Sequence, residues 1–277
     1  MALKDILVHV DATPSSDDRL RIAVDLAAQH QAHLVGLHVR PELVMPLVED
    51  YSALPESYFD DFVAEADATA RTAEAKFTAA VKKSNVAHEW RVARGFASDV
   101  LRRQARYSDL VIVGQRNPDL GDGDTPDVPE NMLLDTGRPT LIIPYIGTLS
   151  SFAKRVMIAW DDGAPATRAV HDAVPLMKGA DQVDIIAVNP TDTGDHGAIP
   201  CADISLHLAR HGIKAEAQSV QATDVGVADI LLARAFDHGC DLLVMGAYGH
   251  SRWRELVLGG VTQHMLENMT MPVLMSH

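Results

Sequence analysis

Residues 240–262 read CDLLVMGAYGHSRWRELVLGGVT, and the order of events in this stretch decides the fold. The run Asp241–Met245 is short, apolar and bounded by chain breakers, which is the pattern of a buried strand. Gly246 and Gly249 end it. Nine residues separate Gly249 from Gly259, Gly260 follows, and the apolar-periodic segment Met265–Met269 reads as a helix. The sequence is therefore strand, glycine turn, short helical insert, second glycine turn, helix. Each glycine removes a Cβ, so a ligand can approach the backbone closely. The second turn opens a helix, whose unpaired N–H groups and positive dipole end suit an anion, phosphate being the common one.

Working outward, this strand has a twin. Ser108–Gly114 (SDLVIVG) matches Cys240–Gly246 (CDLLVMG) 132 residues later. Lys4–Asp11 (KDILVHVD) matches Lys154–Asp161 (KRVMIAWD) at an offset of 150, and Pro139 and Pro272 open two similar apolar runs at an offset of 133. Three matched segments in the same order are an internal duplication. The first half holds a longer connection after its second strand, punctuated by Pro41, Pro46 and Pro55. The halves are expected over 1–147 and 152–277, with Gly147–Ser151 as linker.

Each half alternates strands and helices. After the first strands come predicted helices Asp17–Gln29 and Pro165–Met177, then strands His33–Val39 and Gln182–Val188. Helices Phe62–Lys83 and Cys201–Arg210 follow, then strands His88–Val92 and Lys214–Val220, then helices Ser98–Tyr107 and Val227–His238. Apolar strands alternating with helices predict a parallel sheet covered on both faces, and right-handed crossovers make it doubly wound. Ligands of such sheets sit beyond the carboxyl ends of the strands. Asp11, Asp161, Gly114 and Gly246 all fall there.

Composition excludes some partners. The 277 residues are 47% apolar and 22% charged, with a net charge of -14. A nucleic acid or an anionic membrane surface asks for a basic face, so neither is expected. The two cysteines, Cys201 and Cys240, form no paired motif, and Ile6–Val10 is too short for a signal segment; a cytoplasmic protein is expected. There is no GxxxxGK[ST], no GxSxG and no GxGxxG.

The glycine pattern resembles the nucleotide loop of the universal stress protein family, which runs Gly, two residues, Gly, nine residues, Gly, then Ser or Thr. Gly246, Gly249 and Gly259 match; Gly260 stands at the hydroxyl position, and Thr262 is the nearby hydroxyl. The resemblance implies two tandem α/β domains, flavodoxin-like or Rossmann-like, each a five-stranded parallel sheet between helices, packed as a pseudo-dimer through their last strands (Pro139–Ile143 and Pro272–Met275). It implies ATP or a related adenine nucleotide in the second half, with or without Mg²⁺. Asp161 and Ala159 would line the ribose and adenine pocket, Val188 would meet adenine through its backbone, and Met245 and Gly246 would flank base and sugar. Gly249, His250, Gly259, Gly260, Val261 and Thr262 would surround the phosphates. Asp162 stands where glycine is common and would either weaken binding or assist a divalent ion. The resemblance implies a stress-response sensor or switch, a further homodimer, no assigned catalytic residue and at most slow hydrolysis.

The first half departs from the pattern. Gly114 is followed by Gln115, Arg116 and Asn117, and Pro126, Asp127 and Pro129 fall on the later motif positions. Prolines remove donors and an aspartate repels phosphate, so no nucleotide is expected there. Other readings stay open. A nucleotide-independent interaction protein would use these glycines only as turns. A metal-dependent enzyme on the same fold would draw on histidines of the second half. His207 and His211 share a helix face near Asp195, His196 and Cys201, but no zinc spacing is present and a solvated face is expected, with no metal. Arg252, Trp253 and Arg254 would either clamp phosphate or form an amphipathic turn. A phospho-acceptor domain would need a lysine after the fifth strand, where the chain reads Met275-Ser-His277.

Overall fold

The computed structural model describes residues 2–42, 57–120, 128–147, 149–190, 201–222, 224–249 and 260–277. The first half forms β1 (Asp5–His9), α1 (Ser16–His30), β2 (His33–Arg40), α2 (Tyr58–Val81), β3 (His88–Arg94), α3 (Ala97–Ala105), β4 (Leu110–Gly114), α4 (Val128–Asp135) and β5 (Thr140–Ile143). The second half repeats the order: β6 (Arg155–Ala159), α5 (Ala164–Met177), β7 (Gln182–Val188), α6 (Ala202–Arg210), β8 (Ala215–Val220), α7 (Val227–Asp237), β9 (Leu242–Gly246), α8 (Gly260–Asn268) and β10 (Val273–Ser276).

The ten strands make one sheet in the order β3-β2-β1-β4-β5-β10-β9-β6-β7-β8. Pairing is parallel within each half. The halves meet through an antiparallel pair, with Leu141 opposite Leu274 and Thr140 opposite Met275. The last strands thus pair with each other, as the resemblance implies. Because that junction is antiparallel, the carboxyl ends of the two halves' strands point to opposite edges of the sheet.

The central strands are apolar on both faces because helices cover both faces. β4 and β9 each bury their first four residues. One apolar layer joins the sheet to α1, α2, α5 and α6 through residues such as Leu20, Phe77, Val170 and Leu208. The other joins it to α3, α4, α7 and α8 through Leu101, Met132, Leu231 and Met265. A fully buried leucine or isoleucine contributes roughly 1.5–3 kcal/mol, so these two layers hold the sheet between its helices.

Helix bounds differ in two instructive places. α2 begins at Tyr58, four residues before the Phe62 expected from the sequence. α8 begins at Gly260 rather than near Met265. Gly, Val and Thr are weak helix formers, so propensity hides that first turn. Burial of Thr262, Met265 and Leu266, at helical spacing, is what sets it.

Candidate functional site at the carboxyl edge of the second half

β6 runs into Trp160 and the turn Asp161–Gly163. Asp162 is left-handed there (φ +60°), and the Asp161 Oδ1 accepts the Gly163 N–H at 2.9 Å. This turn feeds α5. β9 lies beside β6, with Ile158 paired to Val244, so the end of β9 comes down onto the first turn of α5. A Cβ on Gly246 would lie 2.5 Å from the Ala166 backbone nitrogen and 2.7 Å from the Pro165 carbonyl carbon. Packing alone therefore requires glycine at 246, whatever binds nearby.

Beyond Gly246 the chain turns back over Asp161. Ala247 is buried, and its N–H reaches the Ser276 carbonyl at 2.9 Å. Tyr248 adopts φ +56° and donates its backbone N–H to the Thr262 hydroxyl at 3.1 Å. That bond ties the turn after β9 to the first turn of α8. A Cβ on Gly249 would meet the Asp161 Oδ2 at 3.4 Å, an ordinary contact, so this residue lies above the carboxylate with room to spare. Among the described residues nothing lies within 4 Å of where a Cβ on Gly260 would be. The opening of α8 is therefore exposed backbone beside a carboxylate-bearing turn, with its positive end toward that space.

The structure brings together Asp161, Gly246, Gly249, Gly260 and Thr262. Ala159 and Val188, both half-buried, end β6 and β7 on the same edge. Val261 is exposed in the first turn of α8. Met245 is different, since its side chain is buried in the apolar layer with Met265 and only its backbone is at the strand end. His250 and Gly259 lie outside the described residues, as do Arg252, Trp253 and Arg254.

The sequence reading missed two residues here. Gln115 of the first half is buried, and its Nε2 donates to the carbonyls of Leu266 (2.9 Å) and Glu267 (3.2 Å) at the far end of α8. Its Oε1 accepts the Tyr145 N–H at 3.2 Å. A residue one position after Gly114, within the first half's altered turn, thus caps the helix that opens at the site in the second. Tyr248 is the other: its ring packs edge-on against His277, and burial, with Glu130 of the first half, pushes its hydroxyl up to about 12.

At the opposite edge, the corresponding place in the first half is filled by its own side chains. The Arg19 guanidinium, 2% exposed, pairs with Asp11 at 2.5 Å and packs against Gly114, where a Cβ would lie 2.7 Å from its Nη1. Asp11 also accepts the Thr13 N–H at 2.9 Å. Burial pushes the Asp11 carboxyl up, but Arg19, His9 and the Thr13 hydrogen bond outweigh it and hold the group well below the usual carboxylate range. Burial pulls the neighbouring His9 imidazole down to about 4, with Asp11 acting in the other direction.

Three histidines of the second half form a row of tilted rings, with centroids 4.7 Å apart for His171 and His207 and 4.8 Å for His207 and His211. Burial, then His171, His211 and Arg210, pull the His207 imidazole down. Among the described residues no three His, Cys, Asp or Glu side chains are set to hold a metal ion. Asp195 and His196 lie outside those residues.

Two doubly wound halves, joined by their last strands and carrying a glycine turn against a helix opening, define a tandem α/β protein. The profile of the universal stress protein family matches residues 2–142 and 153–277, and the chain belongs to that family. It is 28% identical over 185 residues to Universal stress protein Slr1230 of Synechocystis sp. (strain ATCC 27184 / PCC 6803 / Kazusa), a match covering 65% of this chain and 62% of that relative. Among solved structures it is similar to a universal stress protein from Archaeoglobus fulgidus DSM 4304, with TM-score 0.71, 19% identity, and 98% and 97% of the two chains covered. It is also similar to the functionally unknown protein PA1789 from Pseudomonas aeruginosa PAO1, with TM-score 0.60, 16% identity, and 99% and 92% covered. Two further matches, covering 53% and 51% of this chain at TM-scores of 0.32 and 0.35 and identities of 20% and 14%, are universal stress proteins solved with cAMP and, from Archaeoglobus fulgidus, with dAMP.

Proposed function

We propose that residues 152–277 form a domain that binds ATP or a related adenine nucleotide, with or without Mg²⁺, and that residues 1–147 form a partner domain that does not. The observation that carries this reading is the coupling of the Gly246–Gly249 turn to the open start of α8 through Tyr248 and Thr262, above Asp161. Ala159, Val188 and the backbone of Met245 would line the base and sugar, and Gly249, Gly260, Val261 and Thr262 the phosphates, joined by His250 and Gly259. Thr262 already accepts one hydrogen bond, and its O–H remains as a donor. Asp161 and Asp162 would attract a divalent ion if one accompanies the phosphates.

The function is that of a stress-response sensor rather than an enzyme. Occupancy would order the turn and alter the surface it forms. A cytoplasmic homodimer belongs to the same reading. Family membership and two cysteines that are free thiols support it. The outer edges β3 and β8 are the sheet's remaining edges.

Calorimetric titration of ATP, with and without Mg²⁺, tests the reading on the full chain. One nucleotide per chain is expected. Gly260→Asp should weaken binding at least tenfold, because it places a negative charge at the helix opening while an acid there suits the helix itself. Two nucleotides per chain, or none at millimolar ATP, would overturn it. Light scattering on the same sample should give about twice the 30.0 kDa chain mass; a single-chain mass would remove the homodimer.

A further inference from the structure

A cavity of about 290 Å³ opens in the first half, where the carboxyl ends of β2 and β3 meet the first turns of α2. Phe62, Val63 and Val92 make its apolar wall, and Arg40 and Arg94 its polar one. Val63 and Val92 are each about half exposed, at 49% and 48%, an unusual state for branched apolar side chains on a helix and a strand facing one another. Arg40 and Arg94 are register partners on adjacent parallel strands, so two like charges stand side by side. Asp67 on α2 pairs with Arg40. Arg94 has no acidic partner among the described residues. Of the two guanidiniums lining the cavity, only Arg40 has a carboxylate within ion-pair distance among the described residues.

We propose that this cavity binds a small organic monoanion with an apolar body. The carboxylate would sit on Arg94, whose planar fork matches it, and the hydrocarbon would lie on Phe62, Val63 and Val92. One uncompensated guanidinium suits a single negative charge rather than a polyphosphate. The volume is near the lower end for small-molecule pockets, which begin at about 300 Å³, so the ligand is small. The site stands apart from the nucleotide reading, since it lies in the other half and at the opposite edge of the sheet.

Octanoate titrated into the full chain by calorimetry is the test, with 1-octanol and octylammonium as comparators. One octanoate per chain is expected, with octylammonium silent and octanol at least tenfold weaker. Arg94→Gln should lose at least tenfold in octanoate affinity with an unchanged melting temperature, because the side chain is exposed; Val92→Asp should do the same through the apolar wall. Octanoate binding that ignores both substitutions, that ATP displaces, or that octylammonium matches would overturn the proposal. Failure of octanoate to bind at millimolar concentration would equally overturn it.

Discussion

Replacing Gly246 by alanine adds one methyl group at the tightest contact of the second half. The new Cβ would stand 2.5 Å from the Ala166 nitrogen and 2.7 Å from the Pro165 carbonyl carbon, where ordinary contact begins at 3.4 Å. The obstacle is helix backbone, so no side chain can swing aside. α5 must retreat from β9 by about 0.9 Å, the difference between 3.4 and 2.5 Å. That helix carries Ala166, Ala169, Val170 and Ala173 buried against the sheet. A gap of about 0.5–1 Å forfeits a quarter to a half of each such contact, and overpacking of this kind costs about 1–3 kcal/mol. Alanine recovers about 0.4–1 kcal/mol by restricting the unfolded chain, since Gly246 has no positive φ. A net loss of about 1.3 kcal/mol remains, which lowers the melting temperature by roughly 3–5 °C for a chain of this size. Gly260→Ala, with none of the described residues within 4 Å, is the control and should leave the melting temperature unchanged or slightly raised. Thermal melts followed by circular dichroism measure both. A Gly246→Ala melt within 1 °C of the parent would refute the packing argument and return Gly246 to a purely ligand-driven role.

Two further perturbations probe the first half. Gln115→Ala should cost about 1–3 kcal/mol by stripping two carbonyl acceptors, one of them in a buried bond, and one N–H donor of their partner. Hydrogen exchange should speed up in the last turn of α8 and not in α4; equal rates in both would count against the brace. His9 supplies a pH dependence. Its folded pKa of about 4 lies below the unfolded value of 6.5, so the unfolded chain binds the extra proton between them. The stability from keeping His9 neutral is therefore complete above about pH 6.5 and lost as pH falls toward 4, on the order of 3 kcal/mol in all. Urea midpoints at pH 7.5 and 4.5 should differ less in His9→Phe than in the parent, and parallel losses would sink the assignment.

Much of the fold was legible because buried parallel strands are nearly continuous apolar runs. Leu110–Gly114 and Leu242–Gly246 announce themselves and each other, and their repetition fixes the tandem plan. The start of α8 was not legible, because Gly260, Val261 and Thr262 have no helical propensity to show and owe their conformation to burial of Thr262 and Met265. Arg19 was invisible for a similar reason. An arginine at the end of the first turn of an amphipathic helix reads as surface, and only the approach of Asp11 and Gly114 makes it core. Gln115 reads only as part of a turn from which the second glycine is missing. Its role as a brace depends on β5 and β10 running antiparallel, which brings α8 beside the end of β4. Of the site, the glycine spacing was readable. The division of labour among the glycines was not, since Gly246 and Gly260 look alike until the atoms around each are known.

The junction between β5 and β10 also sets a timetable for synthesis. β5 is complete at Ile143, but its partner ends at Ser276, the last strand of the ten to leave the ribosome. At about 5–20 residues per second, translation of the roughly 130 intervening residues takes on the order of ten seconds. Throughout that interval the nascent first half presents Thr140–Ile143, four residues buried in the finished sheet, as an open edge. Two nascent copies on neighbouring ribosomes could pair there with each other. The tether between the halves therefore does more than fix stoichiometry: it keeps the correct partner at high local concentration, so that β10 completes the sheet in its own chain before a neighbour's edge can.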